Sequence, residues 1–163
     1  MGDVKGPLLE EMVREHVALL RVADKAASRN TEPLLAIEFG SAIGYSAMRL
    51  RGNLPAGSLV VAVEPNTRAT KLGKRLVKAA GLDSGVAFTN TVGAKLLDAM
   101  QRGRRHGRGE KTLEVVDLAL RAKGGDARIK LRFDVVVTDH VKDLYLPTLR
   151  DLEQRQLLVP GRT

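Results

Sequence analysis

Three side chains able to do chemistry stand together in the run Thr138-Asp139-His140-Val141-Lys142-Asp143: a carboxylate, an imidazole and an amine. Asp139 can give an oxygen to Mg²⁺, a hard cation that keeps several waters and demands octahedral geometry. Lys142 can act as a general base where burial or a nearby cation lowers its pKa toward neutrality. His140 can line a ligand pocket. Each also has a plainer use: an acid here can cap a helix, a lysine can simply be solvated, and a histidine can be satisfied by its neighbours.

A second group precedes it in the chain. Glu38-Phe39-Gly40-Ser41-Ala42-Ile43-Gly44-Tyr45-Ser46 places two glycines at a tight turn from an apolar run into a helix start, where a ligand can approach the backbone. Glu64 follows, 20 residues beyond Gly44, the spacing at which an acid can accept hydrogen bonds from a ribose diol. Gly-Ser-Ala-Ile-Gly is not the G-x-G-x-x-G that cradles a dinucleotide pyrophosphate, so the pattern favours an adenosine-type cofactor with a ribose and no pyrophosphate. Turn chemistry for the glycines and an exposed strand-end carboxylate for Glu64 are the alternatives. Gly93, in Thr-Val-Gly-Ala, reads first as the opening of a helix after a strand.

These residues need a scaffold that presents strand ends. Pro7 to about Ala27 reads as an amphipathic helix, with Leu8, Leu9, Met12, Val13, Val17, Leu19 and Leu20 near helical spacing. Leu34 to Phe39 is a short apolar run bounded by Gly40, which predicts a buried strand, and a helix from about Tyr45 to Arg51 follows. Ser58 to Glu64 is the second strand, broken by Pro65-Asn66 before a helix from about Thr67 to Ala80. Gly85 to Asn90 reads as a third strand, followed by a helix near Ala94 to Gln101. After a basic loop and an extra helix around Lys111 to Ala122, Phe133 to Asp139 is the clearest buried strand after the first. A helix from about Tyr145 to Gln154 ends the pattern. Strands alternating with helices imply a mainly parallel sheet with right-handed crossovers, whose ligands bind beyond the C-terminal strand ends. Both groups of residues stand there.

Composition bounds the partners. The 163 residues make one domain, 44% hydrophobic and 28% charged, enough to bury a core without disulfides. With no cysteine, thiol catalysis and zinc-thiolate sites are excluded. The net charge of +8 raises polyanion binding as a possibility. However, Arg102, Arg104, Arg105, Arg108 and Lys111 share a Gly-rich stretch that suits a solvated loop, and with 3% aromatics there is little for bases to stack on. Nucleic acid is therefore not the expected partner. No run reaches the roughly 18 to 20 apolar residues of a membrane span, and the first residues lack an apolar signal core, so a cytoplasmic protein is expected.

The segments Gly2-Asp3-Val4-Lys5-Gly6, Ile37 to Leu50, Val61 to Asn66, Val92-Gly93-Ala94, Thr138 to Pro147 and Leu157 to Gly161 together resemble the catechol O-methyltransferase family, in order and with similar spacing. The resemblance covers nearly the whole chain, apart from a longer stretch from about Arg102 to Arg132. It implies a Rossmann-like α/β methyltransferase fold that binds S-adenosylmethionine across the strand ends. It also implies a Mg²⁺ chelating both hydroxyls of a catechol, and a lysine that takes the proton as one hydroxyl attacks the sulfonium methyl. Carried over by motif, Glu64 binds the cofactor ribose, Gly40 and Ser46 its methionine end, and His140 lies beside the adenosine. Met1 and Gly2 touch the cofactor through the backbone, Gly93 lies in the cofactor-binding segment, Asp139 is a metal ligand and Lys142 the catalytic base.

Several positions depart from the family pattern. Ala42 stands where the family has a tyrosine, Val141 where it has a tryptophan, and Lys95-Leu96 where it has Ser-Gln. The family continues past the Leu157 to Gly161 segment into a strand ending in an Asp-Asn pair that supplies further metal ligands. The expectation is therefore a single, partial methyltransferase domain lacking the last strands, with a basic insertion around 102–132 and an incomplete Mg²⁺ site. The favoured function is O-methylation of a catechol or other phenol. The alternatives are a non-catalytic relative that binds cofactor or a protein partner, and a nucleic-acid methyltransferase, against which the Asp-His-Val-Lys-Asp run argues.

Overall fold

The computed structural model describes residues 4–26, 33–102, 118 and 131–158. Its elements run α1 (Lys5–Ala26), β1 (Leu35–Phe39), α2 (Tyr45–Gly52), β2 (Leu59–Val63), α3 (Thr67–Ala79), β3 (Val86–Thr89), α4 (Gly93–Arg102), β4 (Val135–Thr138), a 3₁₀ turn (Lys142–Leu144) and α5 (Tyr145–Gln154). The basic stretch beyond Arg102 and the helix expected around 111–122 lie outside the described residues, apart from Leu118, which is helical.

The four strands form one parallel sheet in the order β3-β2-β1-β4. The order reverses at β1, since the chain steps outward from β1 to β3 and later returns to β1's other side with β4. That reversal opens the crevice where parallel sheets bind ligands. Strand side chains alternate between faces. Leu35, Ile37 and Phe39 of β1 point with Leu59, Val61 and Val63 toward Leu96, Leu97 and Met100 of α4 and Leu152 of α5. Ala36, Val60, Ala62 and Phe88 face Val13, Val17 and Leu20 of α1, Ala47 and Leu50 of α2, and Val77 of α3. Helices thus cover both faces, and each fully buried Leu or Phe contributes about 1.5–3 kcal/mol. Phe133 is wholly buried on the α4–α5 face, and its truncation to Ala costs about 3–5 kcal/mol.

Two readings change. The seven apolar positions of α1 are not one buried stripe: Val13, Val17 and Leu20 are buried, whereas Leu8, Met12 and Leu19 are exposed. At 100° per residue the two sets fall on different faces, and only one can meet the sheet. The strand β4 is half-buried along its length rather than fully buried, because among the described residues β1 alone pairs with it over Val135–Thr138. At its start, Phe133 forms a parallel bridge to Leu158 on the outer side, with the Phe133 N–H donating to the Leu157 carbonyl at 2.7 Å.

Side-chain ties fix the helices. Arg155 binds Asp98 at 2.7 Å and Asp151 at 2.6 Å, joining α5 to α4. Arg49 binds Glu10 at 2.6 Å and lies 4.9 Å over the Tyr45 ring, joining α2 to α1. Tyr45 first and Glu10 with it hold Arg49 above the ordinary arginine pKa, as Asp151 and Asp98 hold Arg155, so both stay charged at every accessible pH.

Candidate functional site

The loop from Gly40 to Gly44 is built from unusual backbone. Gly40, Ala42 and Gly44 have φ of 88°, 46° and 83°, a left-handed region that costs a residue with a Cβ roughly 1–2 kcal/mol. The glycines are needed for space as well. A Cβ on Gly40 would lie 2.5 Å from the Asp139 carbonyl oxygen and 2.8 Å from the His140 Cα, and one on Gly44 would enter the Phe88 ring. The β1 exit and the β4 exit therefore touch through Gly40, and the Asp139 N–H donates to the Phe39 carbonyl at 2.9 Å.

Glu64 is tied to that loop. One carboxylate oxygen accepts from the Ala42 N–H at 3.0 Å and the other from the Asn66 N–H at 2.7 Å. Each oxygen keeps a further lone pair for a ligand. Asn66 also caps α3, its side chain accepting from the N–H groups of Arg68 and Ala69.

The residue that sequence reasoning passed over is Glu38. It sits inside β1, wholly buried at 0% exposure, on the face toward α2. Neither carboxylate oxygen has a hydrogen-bond partner. Burial pushes its pKa above the ordinary 4.5; the Ser46 and Ser41 hydroxyls oppose that rise and the Asp139 charge adds to it. Ser41 spends its own hydroxyl on the Glu38 backbone carbonyl at 3.1 Å. A buried carboxylate without partners costs about 1–3 kcal/mol or more, and is kept where something else repays it. The signal in the sequence was a single charge inside the apolar run Leu34 to Phe39.

His140 packs between rings, with its centroid 5.7 Å from Phe39 and 5.2 Å from Tyr145. Its Nε2 lies 2.9 Å from the Thr148 hydroxyl, while Nδ1 is buried with no partner. Burial lowers its pKa below the ordinary 6.5, so the ring is neutral near pH 7. Gly93 opens α4 under the Phe39 ring, with its Cβ position 2.9 Å from two ring carbons.

Of the residues singled out in the sequence, Gly40, Ser46, Glu64, Gly93, Asp139 and His140 thus converge on the ends of β1 and its neighbours. Lys142 lies beside them, exposed at the start of the 3₁₀ turn, with no side-chain partner among the described residues. Met1 and Gly2 lie outside the described residues. Among the described residues no group of three or more His, Cys, Asp or Glu is arranged to hold a metal, so Asp139 stands there as a lone exposed carboxylate.

Residues 30–118, more than half of the chain, match the model of a family described as O-methyltransferase. The chain belongs to the O-methyltransferase family. It is 26% identical to mouse catechol O-methyltransferase over 161 residues, covering 99% of this chain and 46% of that protein. It is 30% identical to a probable O-methyltransferase of Mycobacterium tuberculosis, covering 99% of this chain and 54% of that one. The chain spans about half the length of the curated relatives it matches. Its fold is shared with an O-methyltransferase from Bacillus cereus in complex with SAH, at a TM-score of 0.65 and 17% identity, over 99% of this chain and 55% of that one. A SAH-bound Podospora anserina methyltransferase matches at a TM-score of 0.58 and 16% identity, over 98% and 50% of the two chains. The Rossmann-like methyltransferase architecture read from the sequence is thus the one observed. No helix among the described residues is long and apolar enough to cross a membrane.

Proposed function

We propose that this chain forms the cofactor-binding part of an S-adenosylmethionine-dependent O-methyltransferase whose acceptor is a catechol or another phenol. The observation that carries the reading is the buried Glu38 carboxylate without a partner, two residues before Gly40. A cationic group on a ligand entering over Gly40 would satisfy it, and the ammonium of the cofactor's methionine end is such a group. Glu64 offers its free lone pairs to the ribose diol, and the neutral His140 ring lines the adenosine side. The first turn of α2 has no side-chain cap, which leaves N–H groups for the carboxylate of the same methionine end.

When bound, the cofactor supplies an electrophilic methyl that a hydroxyl oxygen takes by direct displacement, the carbon–sulfur bond breaking as the carbon–oxygen bond forms. The protein's part is mainly to position, and holding the two reactants in line accounts for much of such an acceleration. Lys142, exposed beside the crevice, is the amine this reading assigns to accept the hydroxyl proton. Asp139 supplies one oxygen toward the Mg²⁺ the family resemblance implies, but a lone carboxylate does not make up an octahedral donor set.

The test is transfer of a labelled methyl from S-adenosylmethionine to catechol by the chain, with and without Mg²⁺. The reading expects a methyl ether whose formation falls at least tenfold in Lys142→Met, the low end of what a general base contributes. Labelled product from wild type and Lys142→Met at equal rates would remove Lys142 from the chemistry. Transfer to RNA but not to catechol would replace the phenol reading.

A further inference from the structure

The carboxamide of Asn90 stands just past β3, outside every motif discussed so far. Its Nδ2 donates to the Glu64 carbonyl at 3.1 Å and to the Pro65 carbonyl at 2.8 Å, and its Oδ1 accepts from the Thr67 hydroxyl at 2.9 Å. The two carbonyls can only accept, which fixes the amide's orientation. The parallel pairing of β2 with β3 ends at the Glu64 N–H, which donates to the Thr89 carbonyl at 3.1 Å. Pro65 has no N–H, so the ladder cannot continue. The Asn90 side chain takes over where the sheet stops, holding the β2 exit by two carbonyls and the start of α3 by Thr67.

We propose that Asn90 is a positioning residue for Glu64, aiming its carboxylate at the cofactor ribose from the backbone side. The proposal rests on the cofactor reading given above. The argument is geometric. The Glu64 carboxylate is held in front by the N–H groups of Ala42 and Asn66. Its backbone is held behind by Asn90 and by the Thr70 hydroxyl, 3.1 Å from the Glu64 carbonyl. Without the Asn90 amide the Glu64 carbonyl keeps only the Thr70 hydroxyl as a side-chain donor and the Pro65 carbonyl keeps none among the described residues, and the carboxylate shifts relative to the Gly40–Gly44 loop. Asn90 makes its hydrogen bonds to Thr67, Glu64 and Pro65 and none to Ala42, so a change at the Ala42 N–H travels through Glu64.

The test compares wild type with Asn90→Ala and Asn90→Asp, the latter keeping the Thr67 acceptor but losing both donors. In the free proteins, the amide proton shifts of Ala42 and Asn66 read the Glu64 carboxylate directly, and both variants should move them while circular dichroism stays native. With S-adenosylhomocysteine and its 3′-deoxy analogue as probes, wild type should prefer the intact ribose. Both variants should lose roughly tenfold of that preference, about one hydrogen bond's worth. In Glu64→Gln the same Asn90 substitutions should add nothing further. Unmoved Ala42 and Asn66 shifts, or a uniform loss of affinity with the ribose preference intact, would overturn the positioning role. Should wild type bind neither probe, the cofactor reading falls, while the amide shifts still decide whether Asn90 places Glu64.

Discussion

The Glu64 carboxylate accepts the Ala42 N–H at 3.0 Å, joining the end of β2 to the left-handed turn that follows β1. One side chain thereby sets the spacing between the two walls of the crevice. Replacing Glu64 with Ala removes the proposed ribose acceptor and leaves the Ala42 and Asn66 N–H groups to water. We expect a loss of about 1.5–3 kcal/mol in cofactor binding, roughly 10- to 150-fold in Kd. Titration calorimetry of wild type and Glu64→Ala measures it.

Glu38→Gln separates stability from function. The folded-state pKa of Glu38 is raised above 4.5, so between 4.5 and that value the folded state binds more protons than the unfolded state. Stability therefore falls as pH rises through this window; the penalty is full above it and absent below 4.5. Gln cannot ionise, so the variant should lose this pH dependence and melt at a higher temperature than wild type at pH 7 without ligand. Thermal melts from pH 4 to 8 show both effects, and a lower melting temperature for Glu38→Gln at pH 7 would contradict the account.

His140 works in the opposite sense. Its folded pKa lies below the ordinary 6.5, so the unfolded state binds more protons and the stabilisation is complete above 6.5. It is lost as pH falls through the folded-state value. An NMR titration of the His140 ring should give a midpoint below the ordinary 6.5, and His140→Phe should flatten the acid limb of the stability profile.

Gly40→Ala should be among the most damaging small substitutions. The added Cβ meets backbone of the β4 exit at 2.5 Å in a residue already at φ 88°, and backbone cannot swing aside as a side-chain tip can. A loss of about 1–3 kcal/mol is expected, read as a lower denaturation midpoint with an unchanged m-value.

The sequence made the scaffold legible because its strands are short apolar runs with clean Gly and Pro boundaries. β1, β2 and β3 fall within a residue or two of where the runs placed them, and the Gly40–Gly44 loop meets Glu64 through the Ala42 N–H. α1 was legible as a helix but not in its facing, since Leu8 and Met12 have helical spacing yet point away from the sheet. Glu38 was visible only as an acid in an apolar run; that it is sealed and unpartnered depends on α2 packing over it. Asn90 left no signal, because a polar residue after a strand is ordinary and its carbonyl partners lie 25 and 26 residues away. The meeting of Gly40 with Asp139 spans about a hundred residues, and only the strand order creates it.

The most direct test is calorimetric titration of S-adenosylmethionine into wild type and Glu38→Gln at pH 7. The account predicts saturable binding to wild type, weakened at least tenfold in Glu38→Gln even though that variant is the more stable protein in the free state. Equal affinities for the two proteins, or no binding by folded wild type, would contradict it.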